Sequence, residues 1–425
     1  MVTIALIGAG MRGTHAYGAY ALEHTENVQF VAVAEPDPQS RQRFQTLHNI
    51  PNERCFATWQ EMLKQPRLAD AVVISTPDNM HYNPTMAAIE NGYHILLEKP
   101  MSTNPVECIA MGEYAKQNEH VFAVCHVLRY AGFFKSLKAL LQAGRIGQVV
   151  SIQHNENVGY RHYAHSYVRG NWRNSDLSSP MILAKSCHDM DILLWLVDAD
   201  CENISSFGEL TYFKEEHAPK NAPLRCTDSC PAEAECPYSA QKHYLSENLD
   251  WFTTTISMDT SIEARMKALK EGPYGRCVFH SDNNVVDHQV VNMEFKNGVT
   301  AAFTMCAFTR ETSRTIKLMG TLGEIRGHME RNEIEISNFA NGKKEIISVA
   351  TIGKDIHGGG DSGLMDDFIH LVESGSTISL TSADVSVQSH LMAFAAEQSR
   401  LLKKVVNLDA FKKEHQRDSL IQNAK

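Results

Sequence analysis

The run Gly8-Ala9-Gly10-Met11-Arg12-Gly13 follows directly on an apolar segment, Val2-Thr3-Ile4-Ala5-Leu6-Ile7, and fixes how this chain must begin to fold. Glycines spaced G-x-G-x-x-G between a strand and a helix permit a tight turn. They also let backbone N–H groups approach a pyrophosphate at the helix N-terminus. Alone, a glycine-rich turn without a ligand reads the same way. A second apolar run, Val28-Gln29-Phe30-Val31-Ala32-Val33-Ala34, ends at Glu35, 22 residues beyond Gly13. A carboxylate at that strand tip is placed to meet ribose hydroxyls, and it would repel a ribose 2′-phosphate. Pro36 and Asp37 follow, and the nearest arginine is Arg41, so NAD is favoured over NADP. The competing reading of Glu35 is a solvated residue ending a strand.

The 425 residues exceed what one core usually holds, so two domains are expected. Strand and helix patterns alternate through residues 1–125, with strands at Cys55-Phe56-Ala57, Ala71 to Pro77, Tyr93 to Leu97 and Val121 to Val124. Helices are expected at Arg41 to Leu47, Asn83 to Asn91 and Pro105 to Asn118. This is the grammar of a doubly wound parallel sheet, a Rossmann domain. Residues 126–405 read as an α+β domain with a large, mostly antiparallel open sheet. Its strands are expected at 149–152, 290–295, 299–304, 315–319, 324–327 and 333–337, with Asn297-Gly298 as a hairpin turn. Helices are predicted at 133–143, 364–373 and 383–403. A cysteine-rich insertion occupies about 205–285, and residues 406–425 form a polar tail expected to fray from Phe411 to Lys425.

A net charge of −10 argues against nucleic acid or an anionic membrane as partner. No apolar stretch nears the ~20 residues needed to span a bilayer. With the first strand starting at once, no signal peptide is expected, and the location predicted is cytoplasmic. In that compartment the ten cysteines are expected as reduced thiols.

Glu98-Lys99-Pro100 follows the strand ending at Leu97. Ligands of open α/β sheets bind at that edge, and a lysine beside an oxidised nicotinamide can exchange a proton near neutrality. The plainer alternative is a lysine that only pairs with Glu98. Together with the glycine motif, Glu35, Thr76-Pro77 with His81 four residues further, Leu128-Arg129-Tyr130 and Gly144-Arg145-Ile146-Gly147, this set resembles the Gfo/Idh/MocA oxidoreductases. That family includes glucose–fructose oxidoreductase and inositol dehydrogenases. The resemblance spans most of the chain and is poor around residues 205–285. It implies that Gly8, Gly10, Met11, Arg12, Gly13, Glu35, Thr76, Pro77, His81, Glu98 and Lys99 surround the cofactor. It also implies that Lys99 handles the substrate hydroxyl proton. Family members that oxidise polyols carry Asp-x-x-x-His; here His188 matches the histidine, and Ala184 stands where the aspartate would be.

Lys185 and His188, three apart on a helix, can face one cleft, and Asp191 can fix the tautomer of His188. Arg129, His162, His165, Arg169, Trp172, Lys185 and His188 are the candidate substrate wall. Arg161, Arg169 and Arg173, in the loops that carry His162, His165 and Trp172, raise the option of an anionic substrate group, and a solvated basic loop is the plainer reading. The loop His357-Gly358-Gly359-Gly360-Asp361 is glycine-rich enough to close over a ligand. Asp287-His288 precedes a strand and is left unassigned. Cys226, Cys230, Cys236 and Cys277 could supply four thiolates to a structural zinc ion or iron–sulfur cluster, against a reduced cysteine-rich loop.

The reading is an NAD-dependent oxidoreductase moving hydride to or from a secondary hydroxyl carbon of a sugar-like molecule, as a homodimer or homotetramer. An NAD-dependent glycoside hydrolase that works by transient oxidation and elimination is one alternative. A non-catalytic dinucleotide-sensing regulator is the other.

Overall fold

The computed structural model describes residues 1–117, 119–350 and 357–423. Six strands, β1 (Val2–Ile7), β2 (Val28–Ala34), β3 (Cys55–Phe56), β4 (Ala71–Ile74), β5 (His94–Leu97) and β6 (Phe122–Val124), form a sheet in the order β3-β2-β1-β4-β5-β6. Every neighbouring pair is parallel. All four residues of β4 are buried, as continuous apolar strands covered by helices on both faces should be. The strand order reverses between β1 and β4. Ligand crevices of doubly wound sheets open at such a point, and the glycine loop leaves β1 there.

Nine further strands form the second sheet: β7 (Val149–Asn157), β8 (Cys201–Glu209), β9 (His288–Phe295), β10 (Thr300–Cys306), β11 (Ser313–Gly320), β12 (Gly323–His328), β13 (Glu333–Asn338), β14 (Lys344–Ser348) and β15 (Val406–Asn407). Their order is β14-β13-β12-β11-β7-β10-β9-β8-β15. Only β7 and β10 run parallel; the other pairs are antiparallel. At the expected hairpin, Gly298 has φ +81° and its N–H donates to the Phe295 carbonyl at 2.8 Å. Strands β8, β14 and the two-residue β15 were not anticipated.

Two C-terminal helices tie the halves together. Helix Gly360–Ser374 buries Leu364, Met365 and Phe368 in the same cluster as Ile4 and Leu6 of the first sheet and Tyr17 of the helical segment Gly13–Gly18. Tyr130 Oη donates to Asp367 at 2.6 Å on that helix. The 20-residue helix Ala383–Leu402 packs on helices Pro105–Gln117 and Cys187–Val197. The expected frayed tail is corrected: Leu408–Asn423 is a helix. Leu408 and Phe411 lie three apart on one face and are both buried, which anchors its first turn. Among the described residues, no helix is long and apolar enough to cross a membrane.

Candidate active site

The glycine loop is shaped by contacts that exclude side chains. Gly8 has φ +93°, and a Cβ there would stand 2.7 Å from the Ser75 carbonyl oxygen; a Cβ at Gly13 would stand 2.3 Å from the Gly8 oxygen. The loop therefore folds tightly against the end of β4 and leaves room for a ligand to approach its backbone. Around Gly10 there is open space, and Met11 is exposed at the tip. Glu35 reaches the same loop: its two carboxylate oxygens accept N–H groups from Ala9 at 2.7 Å and Asp37 at 2.9 Å. A glycine cradle with a carboxylate at the second strand tip fits a dinucleotide.

Arg12 extends from this loop into a buried network. Its Nε donates to Glu98 at 2.6 Å, and its Nη2 donates to Asp361 at 2.6 Å and to the Tyr17 hydroxyl at 3.1 Å. Tyr17 also donates to Glu98. Glu98 is thus enclosed beneath the loop, and it accepts the Lys99 backbone N–H at 3.0 Å. The Arg12 and Lys99 charges hold its carboxyl below the usual range against the cost of burial. His81, also buried, has one ring nitrogen 2.7 Å from the Pro100 oxygen and the other 2.8 Å from the Thr76 oxygen. It pins the turn carrying Lys99 to the Thr76-Pro77 end of β4.

Lys99 crosses to the second domain, where Nζ donates to the Ala184 carbonyl oxygen at 2.8 Å. That carbonyl lies just before helix Cys187–Val197, whose first turn carries His188. His188 is buried, and its Nδ1 has no hydrogen-bond partner. Burial, then the charge of Lys99, pushes its pKa well below the ordinary histidine value, so the ring is neutral. The rings of His126 and His357 lie 5.9 and 6.0 Å from it, centre to centre.

A charge network backs this cleft. Lys185 Nζ is 3.3 Å from Glu156, Arg314 is 2.6 Å from Glu156 and 2.9 Å from Asp189, and Asp189 is 2.8 Å from His154. Arg314 sits directly opposite Glu156 in the β7–β11 register. Burial lowers the Lys185 pKa, with Glu156 opposing the shift. His162, close enough for the Lys185 charge to depress its pKa further, is also held neutral, chiefly by burial.

The other expected wall residues go elsewhere. Arg129 is buried and its donors are engaged: Nε and Nη2 bond Asp191 at 2.7 Å each, and Nη1 bonds the Leu380 carbonyl at 3.1 Å. Asp191 is consumed by that pair instead of fixing the His188 tautomer. His165 lies inside the insertion, 2.9 Å from the Tyr244 hydroxyl and stacked on Tyr274, and burial pushes its pKa down to about 3. Arg169 also points into the insertion, donating to the Arg276 and Tyr238 carbonyls. Trp172 Nε1 donates to Asp78 at 3.1 Å, so it clasps the turn after β4. Arg161 and Arg173 pair with Asp250 and Asp282. The anionic-substrate option drawn from these arginines is therefore corrected: internal carboxylates and carbonyls occupy them. Asp287 holds the start of the insertion through the Thr211 and Tyr212 N–H groups.

The expected lid residues His357–Asp361 are partly tethered, because Asp361 pairs with both Arg12 and His357. Residues 351–356, which lead into that loop, lie outside the described residues. Among the described residues no group of three or more His, Cys, Asp or Glu side chains stands in position to hold a metal ion. The expectation of a formed zinc or iron–sulfur ligand set at Cys226, Cys230, Cys236 and Cys277 is corrected accordingly: all four are free thiols.

Sequence reasoning missed Tyr17, Asp78, His126, Glu156 and Arg314. A signal existed for one of them: Ile152, His154 and Glu156 are buried at every second position of β7, which the period of a strand could have exposed.

Residues 2–126 match the family model described as "Oxidoreductase family, NAD-binding Rossmann fold", and residues 134–326 match "GFO/IDH/MocA C-terminal domain". YteT of Bacillus subtilis (strain 168) is 22% identical over 359 residues, which is 80% of this chain and 81% of YteT. The scyllo-inositol 2-dehydrogenase (NADP(+)) IolW of the same organism is 23% identical over 41% of this chain and 46% of its own length. A levoglucosan dehydrogenase solved with NADH and levoglucosan shares the fold, with TM-score 0.71 and 18% identity over 96% of this chain and 99% of that one.

Proposed function

The chain belongs to the Gfo/Idh/MocA oxidoreductase family, and from that premise we propose that it moves hydride between NAD and a secondary hydroxyl carbon of a neutral, sugar-like molecule. The observation that carries this reading is the Lys99 ammonium, lodged 2.8 Å from the Ala184 carbonyl between the dinucleotide loop and the His188 helix.

Gly8, Gly10, Gly13 and Glu35 would hold the dinucleotide, whose nicotinamide supplies the hydride acceptor or donor when bound. Lys99 exchanges the substrate hydroxyl proton as general acid or base. Neutral His188, with an open Nδ1, offers one hydrogen bond to orient that hydroxyl. Lys185 and His162 bond the neighbouring hydroxyls, while the Glu156–Arg314–Asp189 network fixes Lys185 from behind. The carboxylate of Glu35 favours NAD over NADP. Because Arg129, Arg161, Arg169 and Arg173 are internally engaged, a neutral polyol is preferred to a uronate. Relatives named for acting on inositol and on levoglucosan support the same substrate class.

The test is NADH formation by purified protein against free sugars, polyols, glycosides and uronates. NADH production from neutral polyols is expected. A panel that yields no NADH, or NADH from uronates alone, would overturn the reading; glycoside cleavage without accumulating NADH would replace it with transient oxidation.

A further inference from the structure

The insertion brings an open aromatic face to the substrate wall. Trp251 opens the helix Trp251–Ile256 and is the most exposed of the four tryptophans, at 38%. The ring is not loose. It stacks on Phe252, with centroids 3.9 Å apart and 29° between the planes. The Arg161 guanidinium lies 4.4 Å from the same Phe252 centroid. Two planar groups that close must cover opposite faces, so Arg161, Phe252 and Trp251 form a layered stack with Trp251 outermost. Asp250 braces it, accepting from Arg161 at 2.6 Å, from the Thr253 N–H at 3.1 Å and from the Thr253 hydroxyl at 2.9 Å.

The Trp251 ring stands 5.3 Å, centre to centre, from His162, which bonds substrate hydroxyls in the proposed site, and the two planes are 85° apart. His188 is buried and His162 half-buried, so the exposed Trp251 lies further out than the ring that reacts. Thr254 and Thr255, three and four residues on, share its side of the helix. Their hydroxyls donate to the Trp251 carbonyl oxygen at 3.2 and 2.7 Å, which leaves both hydroxyl oxygens able to accept. Past this helix, Met258 Sδ accepts from Arg43 at 3.4 Å, on helix Pro38–His48. The segment thus reaches from the substrate wall to the dinucleotide domain.

A sugar ring has an apolar face of C–H groups and a rim of hydroxyls. The first suits the negative face of an indole, and the second needs hydrogen-bond partners. A braced indole with hydroxyl oxygens on the same side offers both, already in place. We propose that Trp251, with Thr254 and Thr255, forms a subsite for a second sugar ring, so that the substrate is a glycoside of linked rings and not a free sugar. This rests on the reading of the Lys99–His188 cleft as a sugar site. A planar aromatic aglycone also stacks on an indole, but it leaves the threonine oxygens unused.

The test is calorimetric titration of the NADH-loaded protein with maltose, cellobiose, lactose and melibiose, each against its component monosaccharides and against phenyl glucoside. NADH formation from NAD is then followed on the same panel. One disaccharide at least should bind about ten-fold more tightly than its monosaccharides and hold a similar advantage in kcat/KM. Trp251→Ala should erase that advantage through KM, and Trp251→Phe should restore part of it; a purely structural defect would lower kcat for every sugar. If the alanine variant does not fold, the phenylalanine variant and the wild-type panel decide. No disaccharide preference, a preference that survives Trp251→Ala, or phenyl glucoside outbinding every disaccharide overturns the proposal. Monosaccharide oxidation without a disaccharide preference sinks the subsite and leaves the redox reading standing. A disaccharide preference in binding that depends on Trp251, without NADH formation, does the reverse.

Discussion

Replacing Glu35 by Gln isolates the charge to which we assign the choice of NAD over NADP. In the wild type, both carboxylate oxygens accept backbone N–H groups, from Ala9 and Asp37 at 2.7 and 2.9 Å. Gln keeps one acceptor oxygen of the same reach. The lost charge assistance costs about 1 kcal/mol, so NAD should bind roughly five-fold more weakly. The effect on NADP runs the other way. Two unit charges ~4 Å apart repel by about 1 kcal/mol in water and ~4 kcal/mol at an effective dielectric near 20. Glu35 is half-buried at the cleft rim, and a value between those limits, about 3 kcal/mol, corresponds to roughly 100-fold in Kd. The ratio of the NADP to the NAD dissociation constant should therefore fall by ~100-fold or more in Glu35→Gln. Calorimetric titration of each dinucleotide at low salt measures both constants without a substrate. A wild type that binds NADP as tightly as NAD, or a variant whose ratio does not move, would refute the assignment of Glu35.

Three further outcomes are expected. Lys99→Met should lower kcat by roughly 10²–10⁴-fold while leaving NAD affinity within a few-fold; a loss under ten-fold would remove Lys99 from proton transfer. Gly13→Ala would put a methyl 2.3 Å from the Gly8 oxygen; NAD binding should vanish in calorimetry, and ordinary binding would show the loop is not built as described. Burial lowers the pKa of His126 to about 4 and of His165 and His390 to about 3. The unfolded chain takes up these protons near pH 6.5, so the stabilisation is complete above that pH. It drains as pH falls from about 6.5 to about 4 for His126 and to about 3 for His165 and His390, by up to about 1.4 kcal/mol per pH unit per histidine, and levels off below those values. Melting temperature should fall steadily from pH 7 to 4.5, and a flat profile would contradict the buried neutral rings.

The first sheet was legible because each strand is a short apolar run bounded by a turn residue; the bounds of β1 and β2 match the expected segments. Strand β8 was not, since Cys201–Glu209 buries Ser206 and Gly208 while exposing Phe207, so residue type carries no strand pattern there and the strand takes its definition from pairing with β9. The tail misled because its composition is polar, while two residues, Leu408 and Phe411, decide whether it docks. Among the candidate site residues, the glycine loop, Glu35 and Lys99 stand out through local spacing, and His188 through the resemblance alone. Arg129 and Arg169 could not be assigned from residue type, because a guanidinium's destination depends on which distant acceptor the fold supplies. Glu156 and Arg314 meet only through a register between strands separated by more than a hundred residues.

Lys99 is steered by a main-chain oxygen, and main-chain oxygens are indifferent to mutation. Whatever side chain position 184 carries, the anchor survives so long as the helical turn does. The anchor also joins the turn after β5 to the segment ahead of helix Cys187–Val197, so any change that drew those two apart would take the ammonium from its berth.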